Sequence, residues 1–237
     1  MAFQWFKGHG TENDFIVLPD PDGSIHGELE PQFVAQLCDR RAGIGADGVL
    51  RVIRSTAAGH NSPAEWFMDY RNADGSISEM CGNGVRVFAR YLVQEGLVEG
   101  TEFSIHTRDG LKFVSVTSES VTVDMGGYTV GKPSNVSASG RQWSAVEVNT
   151  GNPHAVAFVD SLKDAGTLEA QPTFDSSVFP HGVNIEFVEK VDTHHVKMRV
   201  HERGAGETRS CGTGACAVGI ALSAASNTTL PVRYQID

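Results

Sequence analysis

Residues 79–92 read "EMCGNGVRVFARYL" and residues 209–222 read "RSCGTGACAVGIAL". Each places a cysteine, Cys81 or Cys211, directly before a Gly-x-Gly, and each then runs on as an apolar segment with helical character. Aligning the two cysteines, an offset of 130 positions, also superposes Gly82 on Gly212, Gly84 on Gly214 and Leu92 on Leu222. Upstream, "ENDFIV" around Asn13 resembles "GNPHAV" around Asn152 at an offset of 139. Two motifs repeated in the same order over roughly equal halves imply an internal duplication.

The segments between these motifs read mostly as strands. In the first half these are "FQWFK", "DFIVL", "GVLRVI", "EWFMDY", "EFSIHT", "LKFVSV" and "VTVDM". In the second half they are "SAVEVN", "HAVAFVD", "VNIEFVE", "HVKMRV" and "VRYQI". "EPQFVAQLCDR" has helical spacing in Phe33, Val34, Leu37 and Cys38, and the helix after Cys81 is closed by Gly96. Helices sit between groups of strands instead of alternating with them. The expected fold is therefore α+β, with two similar domains, 1–124 and 125–237, each a mixed sheet packed around one central helix. The segment "GGYTVGKPSNVSASG", rich in Gly, Ser and Pro, is expected to be a loop at the boundary.

Composition narrows the function classes. A chain of 237 residues with 40% apolar content can bury real cores. The formal net charge of −10, with 19 scattered Lys and Arg, would be repelled by a phosphate backbone, so nucleic acid is not an expected partner. No segment has the length and apolarity of a membrane span, and "MAFQWFKGHGTENDF" lacks the charged start and apolar run of a secretory signal. A cytoplasmic location is expected. The four cysteines are then expected to stay reduced, which turns attention to their chemistry.

A helix N-terminus presents unpaired N–H groups and a partial positive charge, which together bind an anion and favour a thiolate. Gly82, Gly84, Gly212 and Gly214 let a ligand carboxylate come close to those amides. If the two halves are related by a pseudo-twofold axis, the two thiols would lie on opposite sides of one small molecule in the interdomain cleft. One thiolate could then remove an α-proton from one face of an amino acid while the opposite thiol protonates the other face. Nearby, Glu202 and Arg203 could hold an ammonium and a carboxylate, and Asn72, Asn152 and His154 flank the same motifs.

At these residues the chain resembles the diaminopimelate epimerase family. The similarity runs from "HGTENDF" through "GIGADG", "NADGS", "EMCGNG", "GNPH" and "VN" to "ERGAGET" and "SCGTGACA", which is nearly the whole length. The resemblance implies a cofactor-independent enzyme that interconverts LL- and meso-diaminopimelate for lysine and peptidoglycan synthesis, acting as a homodimer. It also implies that Cys81 and Cys211 exchange the roles of thiolate base and thiol acid. By the same resemblance, Asn13, Asn72, Asn152, Asn184, Glu202 and Arg203 anchor the remote centre of the substrate. Backbone at Gly82, Asn83, Gly212 and Thr213 cradles the reacting carboxylate, and His154 and Glu202 position or deprotonate the thiols. Two departures stand out: Gly48 replaces a Gln that some members carry, and the sequence stops at "PVRYQID", without the Pro-Gly-Gly turn and final strands of the family.

Other signals are weaker. "GIGADG" satisfies G-x-G-x-x-G, but a helix precedes it and a strand follows, the reverse of the order a dinucleotide site needs. His194 and His195 lack the companions of a zinc site and read as a turn, so no metal is expected. Cys38 and Cys216 read as small core residues. No Schiff-base lysine motif stands out, so no cofactor is implied. Two alternatives remain open on the residues alone: a racemase of another amino acid, related to proline racemase, and a redox or binding protein that cycles a Cys81–Cys211 disulfide.

Overall fold

A computed structural model describes residues 2–204, 206–226, 228 and 231–237, and its strands largely follow the apolar runs of the sequence. The chain divides into two units, Met1–Met125 and Gly126–Asp237. In the first unit β1 (Phe6–Gly10) and β2 (Asn13–Pro19) are followed by α1 (Pro31–Cys38), β3 (Gly48–Arg54) and β4 (Trp66–Asn72). Then come α2 (Gly82–Gln94), β5 (Glu102–Thr107), β6 (Gly110–Val116) and β7 (Val121–Val123). All seven strands form one sheet in sequence order. It is mixed: β2 runs parallel to β3 and β4 parallel to β5, while the other neighbours are antiparallel.

Cys81 caps α2 and accepts from the Gly84 N–H, so the helix starts at the first glycine of the motif. Gly96, at φ 64°, supplies the left-handed residue that ends it. Between these ends Val85, Phe88, Ala89 and Leu92 recur at helical spacing and are fully buried. They pack with Phe15, Leu50, Met68, Ile105 and Val114 from the sheet. Each large side chain buried this way contributes roughly 1.5–3 kcal/mol. Because α2 touches strands from β1 through β7, the sheet must curl around it. The sheet stays open between β1 and β7, and among the described residues no strand bridges them. A cavity of about 430 Å³ opens there, lined by Phe6, Lys7, Arg86, Arg90, Glu119 and Val121 among others.

The second unit contains β8 (Thr129–Ala138), β9 (Arg141–Asn149), β10 (Pro153–Val159), a short 3-10 helix (Leu162–Ala165) and β11 (Thr173–Phe174). It continues with β12 (Asn184–Lys190), β13 (His195–Glu202), β14 (Gly206–Thr208), α3 (Gly212–Ser226) and β15 (Gln235–Ile236). The sheet order is β11-β8-β9-β10-β12-β13-β14, with β15 parallel to β13. Ala217, Val218, Ala221 and Leu222 of α3 pack on Val148, Val156, Val188 and Val196. The small residues of α3 let the helix lie close to the strands beneath it.

The duplication expected from the cysteine motifs is present in the topology. In β1–β4 the pairings run antiparallel, parallel, antiparallel, and then the chain enters a helix directly after Cys81. In β9, β10, β12 and β13 the same three pairings recur before the helix after Cys211. Each helix is followed by a strand parallel to the last of the four, β5 on β4 and β15 on β13. Register makes the correspondence residue by residue. Phe15 lies opposite Gly48 in the first parallel pair, and His154 opposite Asn184 in the second. Phe15 therefore corresponds to His154, Gly48 to Asn184, and Leu50 to Glu186.

Some expectations are corrected. The boundary "loop" is mostly β8, ten residues long, because its polar side chains face outward on a strand with few buried positions. Pro133 is accommodated at a register irregularity between Val130 and Pro133, where a missing N–H costs no ladder bond. The first strand is Phe6–Gly10 and not "FQWFK", since Gly8 and Gly10 are carried by the ladder with β2. α1 precedes and β3 follows "GIGADG", the order that argued against a dinucleotide site. Among the described residues no helix is long and apolar enough to cross a membrane.

Candidate active site

Cys81 is held by strands of its own unit. The Cys81 sulfur accepts from the Gly84 N–H at 3.4 Å and lies 3.8 Å from Asn13 Oδ1. That same Oδ1 accepts from Asn83 Nδ2 at 3.2 Å, so Asn13, Cys81, Gly82 and Asn83 are brought together. Asn13 is oriented from behind, where its Nδ2 donates to Asp47 at 2.8 Å. Asp47 belongs to a charged cluster with Arg40, Asp14 and Lys7. Burial alone would raise the Asp14 carboxyl, but hydrogen bonds from Arg40 and Lys7 outweigh it and hold the group well below the usual carboxylate range. An ionised cluster thus fixes which end of the Asn13 amide faces the thiol. Asn72 is tied into its own turn, accepting from the Tyr70 hydroxyl at 2.8 Å and donating to Ser76 at 2.9 Å.

In the second unit Cys211 repeats this arrangement with a different lining. Cys211 Sγ accepts from the Gly214 N–H at 3.4 Å and lies 3.3 Å from the Thr213 hydroxyl. Thr213 in turn receives the Asn152 amide at 3.2 Å. Asn152 Oδ1 accepts from His154 Nε2 at 2.9 Å, and His154 Nδ1 meets Glu186 Oε1 at 2.6 Å. His154 and Glu186 are both 0% exposed. Nearby, Asn184 Nδ2 donates to the Pro153 carbonyl while its Oδ1 accepts the Arg203 backbone N–H at 2.9 Å. Glu202 accepts from the Thr208 hydroxyl at 2.5 Å, and the Arg203 guanidinium reaches the His181 carbonyl at 3.3 Å. Asn152, His154, Cys211 and Thr213 form one hydrogen-bonded chain, and Asn184 joins the backbone of Arg203.

The sequence argument expected a helix start to favour the thiolate, and for Cys211 the structure corrects it. Burial, with Cys211 6% exposed, and the negative charges of Glu202 and Glu186 push this thiol well above its ordinary pKa. The Thr213 hydroxyl and the Gly214 N–H pull the other way and lose. Burial and the two carboxylates both favour the proton-bearing form of Cys211. Cys38, packed among Ile16, Leu18 and Val34, is raised to about 11 by the same desolvation, and Cys216 is raised as well. His195, read as part of a turn, begins β13 and pairs with Asp237 at 2.7 Å.

Sequence reasoning missed Glu186, Thr208 and the Asp14–Asp47–Arg40 cluster. For Glu186 the available signal was parity. In "VNIEFVE" it shares a strand face with Asn184, where a period-two reading expects an apolar core residue. As for Gly48, a Cβ built there would lie 2.6 Å from the Arg71 carbonyl oxygen, so the strand pair leaves no room for a side chain.

Two curled mixed sheets, each packed against a helix, define a known architecture. A crystal structure of a hydroxyproline epimerase from Agrobacterium vitis shares it, with a TM-score of 0.66 at 16% identity over 96% of this chain and 78% of that one. Residues 5–131 and 146–237 match the profile of the family described as diaminopimelate epimerase. The chain is 51% identical to a diaminopimelate epimerase of Streptomyces coelicolor, over 98% of its own length and 84% of the relative's. It is 48% identical to one of Corynebacterium glutamicum, over 94% and 84%. The chain belongs to the diaminopimelate epimerase family.

Proposed function

We propose that this chain interconverts LL- and meso-2,6-diaminopimelate without a cofactor, Cys81 and Cys211 serving as the two acid–base groups. The observation that carries the reading is the duplicated thiol: in each unit the sulfur accepts the N–H of the second motif glycine, at 3.4 Å both times. In one direction the Cys81 thiolate takes the α-proton, and the C–H electron pair moves into the substrate carboxylate. Cys211 then delivers its thiol proton to the opposite face, leaving Cys211 as the thiolate and Cys81 protonated. The raised pKa of Cys211 supports its role as the proton donor. Roles exchange in the reverse direction.

Charge that develops on the carboxylate is met by amides at Gly82, Asn83, Gly212 and Thr213, whose N–H groups belong to the first turns of α2 and α3. Asn13, Asn72, Asn152, Asn184, Glu202 and Arg203 hold the remote amino-acid end, and the demand for a second such end separates this substrate from proline. His154 and Glu202 position the thiols. Family membership supports a place in lysine and peptidoglycan-precursor synthesis, a cytoplasmic location and a homodimer.

Proton NMR of the reduced protein with LL-diaminopimelate in deuterated buffer tests the reading. Loss of the α-proton signal together with appearance of the meso isomer is expected. Absence of both from a folded, reduced protein would overturn it.

A further inference from the structure

The two halves differ where their topology makes them equivalent. At Gly84 the position of a Cβ is crowded by Leu50 Cδ2 at 3.2 Å and by the Cys81 sulfur at 3.6 Å. At Gly214 the same position is crowded by Glu186 Oε1 at 2.7 Å and by the Cys211 sulfur at 3.3 Å. By register Leu50 of β3 occupies the place that Glu186 has in β12, and Phe15 of β2 the place that His154 has in β10. An apolar Phe–Leu couple thus lies beneath Cys81, and a hydrogen-bonded His–Glu couple beneath Cys211. Packing does not require the carboxylate, since Leu50 fills the equivalent place in a well-packed core. A fully buried carboxylate costs several kcal/mol unless paired, and Glu186 Oε2 has no hydrogen-bond partner among the described residues.

The couple also has a definite proton count. His154 Nε2 faces Asn152 Oδ1, an acceptor whose amide nitrogen is committed to Thr213, so Nε2 carries a hydrogen. One further proton lies on the line between Nδ1 and Glu186 Oε1.

We propose that Glu186 is a positioning residue for the reaction, acting through His154 and on the adjacent sulfur to keep Cys211 as the proton-bearing thiol and so make the two halves unequal. This rests on the reading of Cys211 as an acid–base group. Charged and titratable groups that face the thiol among the described residues include Glu186 from β12, Glu202 from β13 and His154 from β10, the last through Asn152 and Thr213. Burial raises the Glu186 carboxyl while His154, at 2.6 Å, lowers it; with the shared proton on Nδ1 the carboxylate faces the thiol, and E186Q removes that negative charge at constant size and burial.

The test measures the alkylation rate of Cys211 against pH in a C81S background, a readout that needs no substrate, alongside kcat and KM in the otherwise wild-type chain. In E186Q the alkylation midpoint is expected at lower pH. The basic limb of the kcat profile should move the same way, with kcat at least tenfold lower at alkaline pH and KM within threefold. The double variant H154F/E186L copies the couple already present in the first unit. It should fold and lose kcat. An unmoved alkylation midpoint in E186Q, or wild-type kcat and pH profile in H154F/E186L, would overturn the proposal. A wild-type protein that fails to exchange the α-proton while the midpoint still moves would overturn the epimerase reading, and with it the place of Glu186 in the reaction, and leave only its hold on the Cys211 proton.

Discussion

Each cysteine accepts an N–H of a helix start and, in the proposed mechanism, is also the reacting group, so a substitution there separates chemistry from folding. Cys81→Ala and Cys211→Ala each remove one of two acid–base groups, and either should abolish epimerisation. The cap itself is worth about 1 kcal/mol, so both variants should still unfold cooperatively in urea. Full activity in either variant would contradict the two-base mechanism. Thr213 offers a finer probe, because its hydroxyl is one of the two groups that lower the Cys211 pKa. Thr213→Val deletes that bond at nearly constant volume. The Cys211 alkylation midpoint should then move to higher pH, opposite to the shift expected for E186Q.

At the scale of elements, the starts of α2 and α3 share a sequence pattern but not a tolerance for change. Alanine at Gly84 meets a leucine methyl at 3.2 Å, which can yield by a few tenths of an ångström. At Gly214 it meets the Glu186 carboxyl at 2.7 Å, and that carboxyl is held by His154 at 2.6 Å. Gly214→Ala should cost about 1–3 kcal/mol and lower kcat at least tenfold, while Gly84→Ala should be milder in both. Urea midpoints and kcat of the two variants, compared side by side, decide this. Equal effects would mean that the lining beneath the two helices does not matter.

For the whole molecule, stability of the first unit depends on a charge network outside the site. Asp69 is buried and bonds to Arg51 at 2.8 Å, to Arg71 at 2.9 Å and to Arg108. Burial would raise its carboxyl, but hydrogen bonds from Arg108 and Arg71 outweigh this, and the pKa in the folded state is lowered. A depressed carboxyl stabilises the folded chain above the unfolded value near pH 3.9 and loses that contribution as pH falls through the folded one. Stability should therefore decline on acidification below about pH 4, and less steeply in Asp69→Asn. The same substitution leaves buried guanidinium groups uncompensated and should cost roughly 3–5 kcal/mol at pH 7, measured by urea unfolding. A loss below about 1 kcal/mol would show that the arginines find other partners.

How much of this could be read from the sequence depends on the range of the interaction involved. The duplication, the mixed sheets and the two matching cysteines are written locally, in Cys-Gly-x-Gly helix starts and runs of alternating or continuous apolar residues, so linear pattern alone determined them. β8 escaped because an exposed strand with Pro133 has the composition of a loop, and only its ladder with β9 makes it a strand. Glu186 escaped for a related reason. A charged residue within an apolar strand says nothing about what lies beneath it until the parallel pairing of β10 and β12 and the start of α3 bring His154 and Cys211 to it. The state of the Cys211 thiol reversed the sequence expectation because a helix end acts over one turn, whereas burial and two carboxylates act through space. The sequence by itself determined which groups can carry protons. Only the tertiary structure decided how strongly Cys211 holds its own, since desolvation and charge depend on neighbours that are distant in the chain.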